Sequence, residues 1–472
     1  MTAPYCVEVE SRSPSGNDIS TPTAQGCRGT SEMESYQLTA TQALTKIQDG
    51  TLTVEEYARS LLTRIERRDA AVQAWAYLNP DYVIQQAKQL DAISPEQRGP
   101  LHGVAIAVKD IMYTKGMPTQ HNSPIYEGDE PQLDAASIII LRHAGALILG
   151  KSTTTEFASI TAGPKTRNPH DVTRTPGGSS SGSAAAVGDF QAPIGLGTQT
   201  GGSTIRPGSF NGVYAFKPTW NSISREGLKV YSLILDTIGF FSRSVDDLQL
   251  LADVFELDDD VPLRDDFSIK GSKIAILKTM VWPQAGPGTI AALEAGAKLL
   301  RDHGAEIEEI ELPPEFDKLP EWHGTVLRTD GRATFLPEYR ISKDKLAPML
   351  VGHVENEFNI SKAAQLEAFD GIAFLRPKID EIASRYAAIL TPSVVDEAPV
   401  GRETTGSPAF NAIWTALHTP VTNIPGFKGE NGLPIGLSLV APRYHDRHLL
   451  RVSKAVGEIF EAEGGWKRQV YQ

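Results

Sequence analysis

Cysteine is almost missing from this chain. Of its 472 residues only Cys6 and Cys27 are cysteines, both close to the N-terminus. That excludes a disulfide framework, a cysteine-ligated zinc and a cysteine nucleophile from the main body. It suits a reducing compartment, and the expected location is the cytoplasm. Long apolar runs are missing too. The most apolar stretch, Ser137 to Leu149, is interrupted by Arg142 and His143, whereas crossing a bilayer takes about 20 apolar residues. No membrane span is expected. The N-terminus has no apolar stretch of signal-peptide length, and Glu8, Glu10 and Asp18 argue against an organelle transit peptide. Positive charge is in deficit: 45 Lys and Arg face 58 Asp and Glu, a net of −13. A broad nucleic-acid-binding face is therefore excluded. The ten histidines are scattered. The closest pair, His445 and His448, lacks a His-Glu-x-x-His pattern and reads as a solvated helix start rather than a metal site.

What remains has the balance of a globular protein, with 40% hydrophobic and 22% charged residues. Between residues 11 and 31 Ile19 is the only large apolar residue, so 1–33 reads as a mobile tail. No repeat or linker divides the rest, and 34–472 reads as one large domain. Thr53-Val-Glu-Glu56 fits a capping box. Val54, Tyr57, Leu61, Leu62 and Ile65 then mark one helical face. Further helices are expected over 80–90, 134–143, 289–303 and 446–463. Strands are expected over 103–109, 146–149 (ended by Gly150), 192–197, 273–277, 388–392 and 433–440. Strands alternating with helices predict a layered α/β fold.

Three constellations can carry chemistry. Thr175-Pro-Gly-Gly-Ser-Ser-Ser-Gly-Ser183, followed by Ala184-Ala-Ala-Val187, allows tight backbone geometry and then a helix start that favours negative charge near Ser179 to Ser181. It reads equally as a flexible Gly/Ser loop. Gly195-Leu-Gly-Thr-Gln-Thr-Gly-Gly-Ser-Thr-Ile-Arg-Pro207 puts Ser203 behind two glycines at the end of a strand. The amides of Thr200, Gly201 and Gly202 can converge there on a carbonyl oxygen; the plain alternative is a tight turn. Lys109 ends an apolar strand, where a buried amine has a lowered pKa and can serve as a base, or else pairs with a carboxylate. Serine needs an adjacent base to become a nucleophile. Lysine can be that base, with a second serine between them.

Together these residues resemble the amidase signature family of serine hydrolases, over about residues 36–465. The family signature Gly-Gly-Ser-Ser-[Ser/Gly]-Gly-Ser, a strand, then Gly-Thr-Asp-Thr-Gly-Gly-Ser is matched, with Ser203 24 positions after Ser179. The upstream lysine motif is present as Gly103 to Asp110. Gly150-Lys-Ser-Thr-Thr-Thr-Glu-Phe157 and Gly432-Leu-Pro-Ile-Gly-Leu-Ser-Leu439 look like two further family segments, with Ser438 in the place of a glutamine. The resemblance implies a single large mixed β-sheet covered by helices on both faces, without metal or organic cofactor. It implies that Ser203 is the acylating nucleophile, that Ser179, preceded by a cis peptide bond, relays a proton, and that Lys109 is the neutral base. Thr200, Gly201 and Gly202 would form the oxyanion hole with the amide of Ser203. The expected activity is hydrolysis of a small or medium amide, with esters or carbamates as further substrates. The expected partner is that small molecule, with a homodimer as the assembly the family suggests. The competing reading within the family is the glutaminase subunit of a tRNA-dependent amidotransferase.

Two departures stand out. Gln199 replaces the common aspartate, and the arginine of the usual Ser-Ile-Arg-x-Pro lies one residue later, as Arg206. A charge pair is expected to have become a neutral hydrogen-bonded arrangement. Two other readings are rejected. Gly178-Ser-Ser-Ser-Gly182 fits Gly-x-Ser-x-Gly around Ser180, but the polar stretch before it, Val172 to Pro176, is not the apolar strand that motif needs. The glycines from Gly195 to Gly201 are misspaced for a dinucleotide loop. The segment from about 280 to 385 is expected to shape the acyl pocket.

Overall fold

The computed structural model describes residues 33–159, 162–260 and 267–471. The stretch read as a tail, with both cysteines, lies outside the described residues except for Met33. The strands are β1 (Trp75–Leu78), β2 (Ala105–Lys109), β3 (Leu147–Ser152), β4 (Ile194–Gln199), β5 (Tyr214–Lys217), β6 (Thr237–Ser242), β7 (Lys273–Leu277), β8 (Glu306–Ile310), β9 (Ala388–Pro392), β10 (Val421–Lys428) and β11 (Pro434–Val440). All of these join one sheet, in the order β1-β3-β2-β4-β6-β5-β10-β11-β9-β7-β8. The sheet is mixed. Parallel pairs β3·β2·β4 and β9·β7·β8 flank an antiparallel centre. The outer strand β8 reads Glu-Ile-Glu-Glu-Ile, and such charges blunt a sheet edge.

Side-chain alternation divides the core between the two faces. On one, Ile106, Val108, Ile194 and Leu196 pack with the helices Ala136–His143, Val245–Val254, Pro287–Asp302 and Asp446–Glu463. On the other, Ala105 and Ala107 meet Ala185 and Ala186 of the helix Ser181–Gly188 and the helix Val54–Val72. Thr53 caps the latter in the expected capping box with Glu56. Period two therefore puts Lys109, at the end of β2, on the face carrying Ser181–Gly188. In β4 the same alternation turns Gly195 and Gly197 toward that helix. A Cβ on Gly195 would lie 2.8 Å from the carbonyl oxygen of Ser183, and one on Gly197 2.7 Å from Ser180 Oγ. Two missing side chains thus let the helix sit directly on the sheet. The whole stretch from 175 to 200 is buried, so the Gly/Ser-rich segment is a packed element and not a flexible loop.

Gly150 does not end β3. The strand runs on to Ser152 because β1 pairs antiparallel with it, Leu78 opposite Gly150. A Cβ on Gly150 would meet the carbonyl of Tyr77 at 2.4 Å, so glycine here serves a close approach of chains. The helix read from 134 begins at Ala136; Asp134 instead accepts the amide of Lys115 and pairs with Arg142.

Candidate active site

Lys109 lies at the exit of β2, its amine fully buried. The neighbouring Asp110 is not its partner: Asp110 pairs with Lys151 of β3 at 3.4 Å. Register explains the split, since Lys109 lies opposite Ser152 while Val108 lies opposite Lys151, which sets the two lysines on opposite faces. Lys109 Nζ instead contacts three hydroxyls, Ser179 Oγ at 2.8 Å, Thr198 Oγ1 at 2.8 Å and Ser180 Oγ at 3.0 Å. Burial holds its pKa well below the ordinary lysine value; the buried carboxylate of Asp236 opposes this shift and Arg206 reinforces it. A neutral amine has two N–H donors and one lone pair, and hydroxyls can meet either role.

The two serines beside Lys109 differ. Ser180 is fully buried, and its hydroxyl donates to the carbonyl of Thr198 and accepts from the Thr198 amide, each at 3.2 Å. That ties it to β4 and leaves it as an acceptor from Lys109. Ser179 follows the cis peptide bond Gly178–Ser179, and its hydroxyl accepts from Lys109 Nζ.

Ser203 stands between β4 and the short helix Ile205–Phe210 and is 8% exposed. The loop before it is braced from several sides. Gln199 Oε1 accepts the amides of Thr204 and Ile205, both at 3.0 Å, and its Nε2 donates to Thr415 Oγ1 at 3.1 Å. The Thr200 hydroxyl donates to Asp236 Oδ1 at 2.6 Å, and the amide of Tyr231 donates to Asp236 Oδ2 at 2.6 Å. Burial raises Asp236 to about 6, against the pull of these hydrogen bonds. Gly202 has no room for a side chain: a Cβ would lie 2.5 Å from Asn411 Oδ1 and 2.9 Å from Arg206 Nη1.

Arg206 is buried and bonds only neutral groups, donating from Nη2 to the carbonyl of Gly178 at 2.6 Å and to Thr405 Oγ1 at 3.1 Å. Its Nε and Nη1 are buried without a hydrogen-bond partner among the described residues, and burial lowers its pKa to about 10. As expected, the hydrogen-bond partners of Gln199 and Arg206 among the described residues are neutral groups rather than a carboxylate.

All six residues singled out in the sequence thus lie on the ends of β2 and β4 or in the two serine-bearing loops that adjoin them. Asp236, His323, Asn411 and Thr415 join them without any local signal. His323 comes from the helix Leu319–Thr334, the part of the 280–385 segment that reaches the Ser203 loop; its Nε2 lies 2.8 Å from the carbonyl of Thr200. A lone histidine on an amphipathic helix carries no pattern, and its contact spans 123 residues. Among the described residues no group of three or more His, Cys, Asp and Glu could hold a metal ion, and no helix is long and apolar enough to cross a membrane.

The sheet order, the buried lysine and the two serine loops define an α/β protein of the amidase signature type. The family model for amidases matches residues 56–450, so the chain belongs to the amidase family. A glutamyl-tRNA(Gln) amidotransferase subunit from Acidothermus cellulolyticus is 31% identical, over 90% of this chain and 95% of that protein. Among solved structures, peptide amidase from Stenotrophomonas maltophilia superposes with a TM-score of 0.76 at 25% identity, covering 92% of this chain and 98% of that one. The corresponding glutamyl-tRNA(Gln) amidotransferase subunit from Thermotoga maritima gives 0.72 at 26% identity, covering 91% and 96%.

Proposed function

We propose that this protein is an amide hydrolase acting through an acyl-enzyme on Ser203, with Ser179 as proton relay and Lys109 as base. The observation that carries the reading is the amine of Lys109, fully buried and facing three hydroxyls with no carboxylate among the described residues bonded to it. Burial favours the neutral form of such an amine, and in that form it can take a proton. Ser203 Oγ attacks the substrate carbonyl while its proton passes to Ser179 Oγ and the proton of Ser179 passes to Lys109 Nζ. The amides of Thr200, Gly201, Gly202 and Ser203 stabilise the oxyanion. The C–N bond then breaks, and the leaving amine collects the proton that returns through Ser179. Water repeats the route in reverse, releasing the acid and restoring Ser203. Esters and carbamates fit the same scheme, since the oxyanion donors do not contact the leaving group.

The test is intact-mass spectrometry after exposure to a fluorophosphonate probe, on wild type, Ser203→Ala and Lys109→Ala. One adduct on wild type, absent in Ser203→Ala and slow to form in Lys109→Ala, is expected. A Ser203→Ala protein that still labels overturns the assignment. The names of its relatives favour a second reading, a glutaminase subunit of a tRNA-dependent amidotransferase. On that reading a folded wild-type chain hydrolyses glutamine only when assembled with its partner.

A further inference from the structure

The oxyanion donors assigned to Gly201 and Gly202 are backbone amides, and a backbone amide in a loop points wherever its peptide plane points. In a trans peptide unit the C=O of one residue and the N–H of the next are antiparallel across that plane. The only cis bond among the described residues is Gly178–Ser179, so the units Thr200–Gly201 and Gly201–Gly202 are trans. Fixing the carbonyl of Thr200 therefore aims the N–H of Gly201, and fixing the carbonyl of Gly201 aims the N–H of Gly202. Both carbonyls are held by side chains from distant parts of the chain. His323 Nε2 lies 2.8 Å from the carbonyl oxygen of Thr200, and Thr415 Oγ1 donates to that of Gly201 at 2.7 Å.

Each of these bonds is itself constrained. Bonding to a carbonyl requires the Nε2–H form of His323, and burial keeps that ring neutral. Thr415 has one proton and two carbonyls within reach, Gly201 at 2.7 Å and Asn411 at 3.2 Å; the closer one is Gly201. Gln199 Nε2 occupies the oxygen of Thr415 as a donor at 3.1 Å, so the hydroxyl proton cannot turn toward residue 199. A carboxylate at 199 would accept that proton and draw it away from Gly201. The amide of Gln199 and the grip on Gly201 are thus parts of one arrangement.

We infer that His323 and Thr415 are positioning residues that orient the oxyanion-hole amides of Gly201 and Gly202 by holding the carbonyls on the far side of the same peptide planes. The inference rests on Ser203 being the acylated residue. Neither side chain is assigned a contact with substrate, and neither takes part in proton transfer. Their loss should slow formation of the tetrahedral intermediate while leaving probe binding and the titration of Lys109 as they were.

The test uses the full-length protein and the fluorophosphonate probe, measuring KI, the maximal inactivation rate, its pH midpoint and the Tm. Thr415→Val keeps the shape and removes the hydroxyl; Thr415→Ser keeps the hydroxyl. Thr415→Val is expected to lower the maximal rate about tenfold, less than the ~10²–10³ for deleting an oxyanion donor outright. KI should stay within about twofold and the pH midpoint should not move. Thr415→Ser should return the rate to within about twofold of wild type, and His323→Leu should behave as Thr415→Val does. A wild-type rate in Thr415→Val at unchanged Tm overturns the inference. So does a Thr415→Ser protein as slow as Thr415→Val, or a slowed Thr415→Val whose pH midpoint has shifted, since that lesion would lie in the proton relay. A wild type that does not label, or labels elsewhere than Ser203, overturns the underlying assignment instead.

Discussion

Replacing Gly202 by alanine tests how tightly the Ser203 loop is packed. The new Cβ would meet Asn411 Oδ1 at 2.5 Å, Arg206 Nη1 at 2.9 Å and Asn411 Cβ at 3.1 Å. Ordinary contact begins near 3.4 Å, so the overlap with Asn411 approaches 1 Å. Asn411 cannot easily withdraw, because its Nδ2 donates to the carbonyl of Ser393 at 2.9 Å. Arg206 is held by Gly178 and Thr405. The backbone next to Ser203 must therefore give way. Overpacking of this kind costs about 1–3 kcal/mol, and a shift of about 1 Å at the reacting atoms costs about 10²-fold in rate. Gly201 is the control. Its Cβ would find nothing closer than 3.6 Å, and neither glycine has a positive φ. Gly201→Ala should then be stabilising by about 0.4–1 kcal/mol through the unfolded chain. Fluorophosphonate inactivation rates and thermal denaturation of both variants give the comparison. The refuting results are a Gly202→Ala protein with wild-type rate and Tm, or a Gly201→Ala protein whose Tm falls as far as that of Gly202→Ala.

Two pH predictions follow from the same site. Native Lys109 has a pKa well below 10.5, so the unfolded chain binds the extra proton between the native pKa and about 10.5, and wild-type stability rises with pH across that window. Lys109→Met removes this term: it should raise the Tm at pH 7, by an amount that shrinks as pH increases toward 10.5, and a gain independent of pH would contradict a depressed native pKa. Labelling should rise from neutral toward alkaline pH as Lys109 loses its proton, and Arg206→Met, which removes the buried cation that helps depress that pKa, should move the midpoint to higher pH. A midpoint that stays put or falls in Arg206→Met would show that the guanidinium does not act on Lys109.

The chain order alone determined a good part of this molecule. β7 and β9 coincide with their apolar runs at 273–277 and 388–392, and the closing helix Asp446–Glu463 with its amphipathic stretch, because hydrophobic period is a local property. The pattern Ile-Gly-Leu-Gly in β4 is legible in the same way: one face is apolar and the other bare. Lys109, Ser179 and Ser203 were readable because their short motifs, each ambiguous alone, occur together in one order and at a matching spacing. β5, β6 and β10 were not, since they are stabilised by antiparallel neighbours, and β10 carries Pro425 and Gly426 where its pairing register shifts. Tertiary structure alone decided what holds the site in place. Asp236, His323, Asn411 and Thr415 come from three separate segments, the last two sharing the helix Ala409–Ala416, and the bonds of Asp236, His323 and Thr415 to the Ser203 loop join residues 36 to 216 positions apart. Only the folded sheet could show that Asp110 turns to Lys151 and leaves Lys109 among hydroxyls, since strand register, which local sequence does not encode, sets which of two adjacent charged residues faces which side.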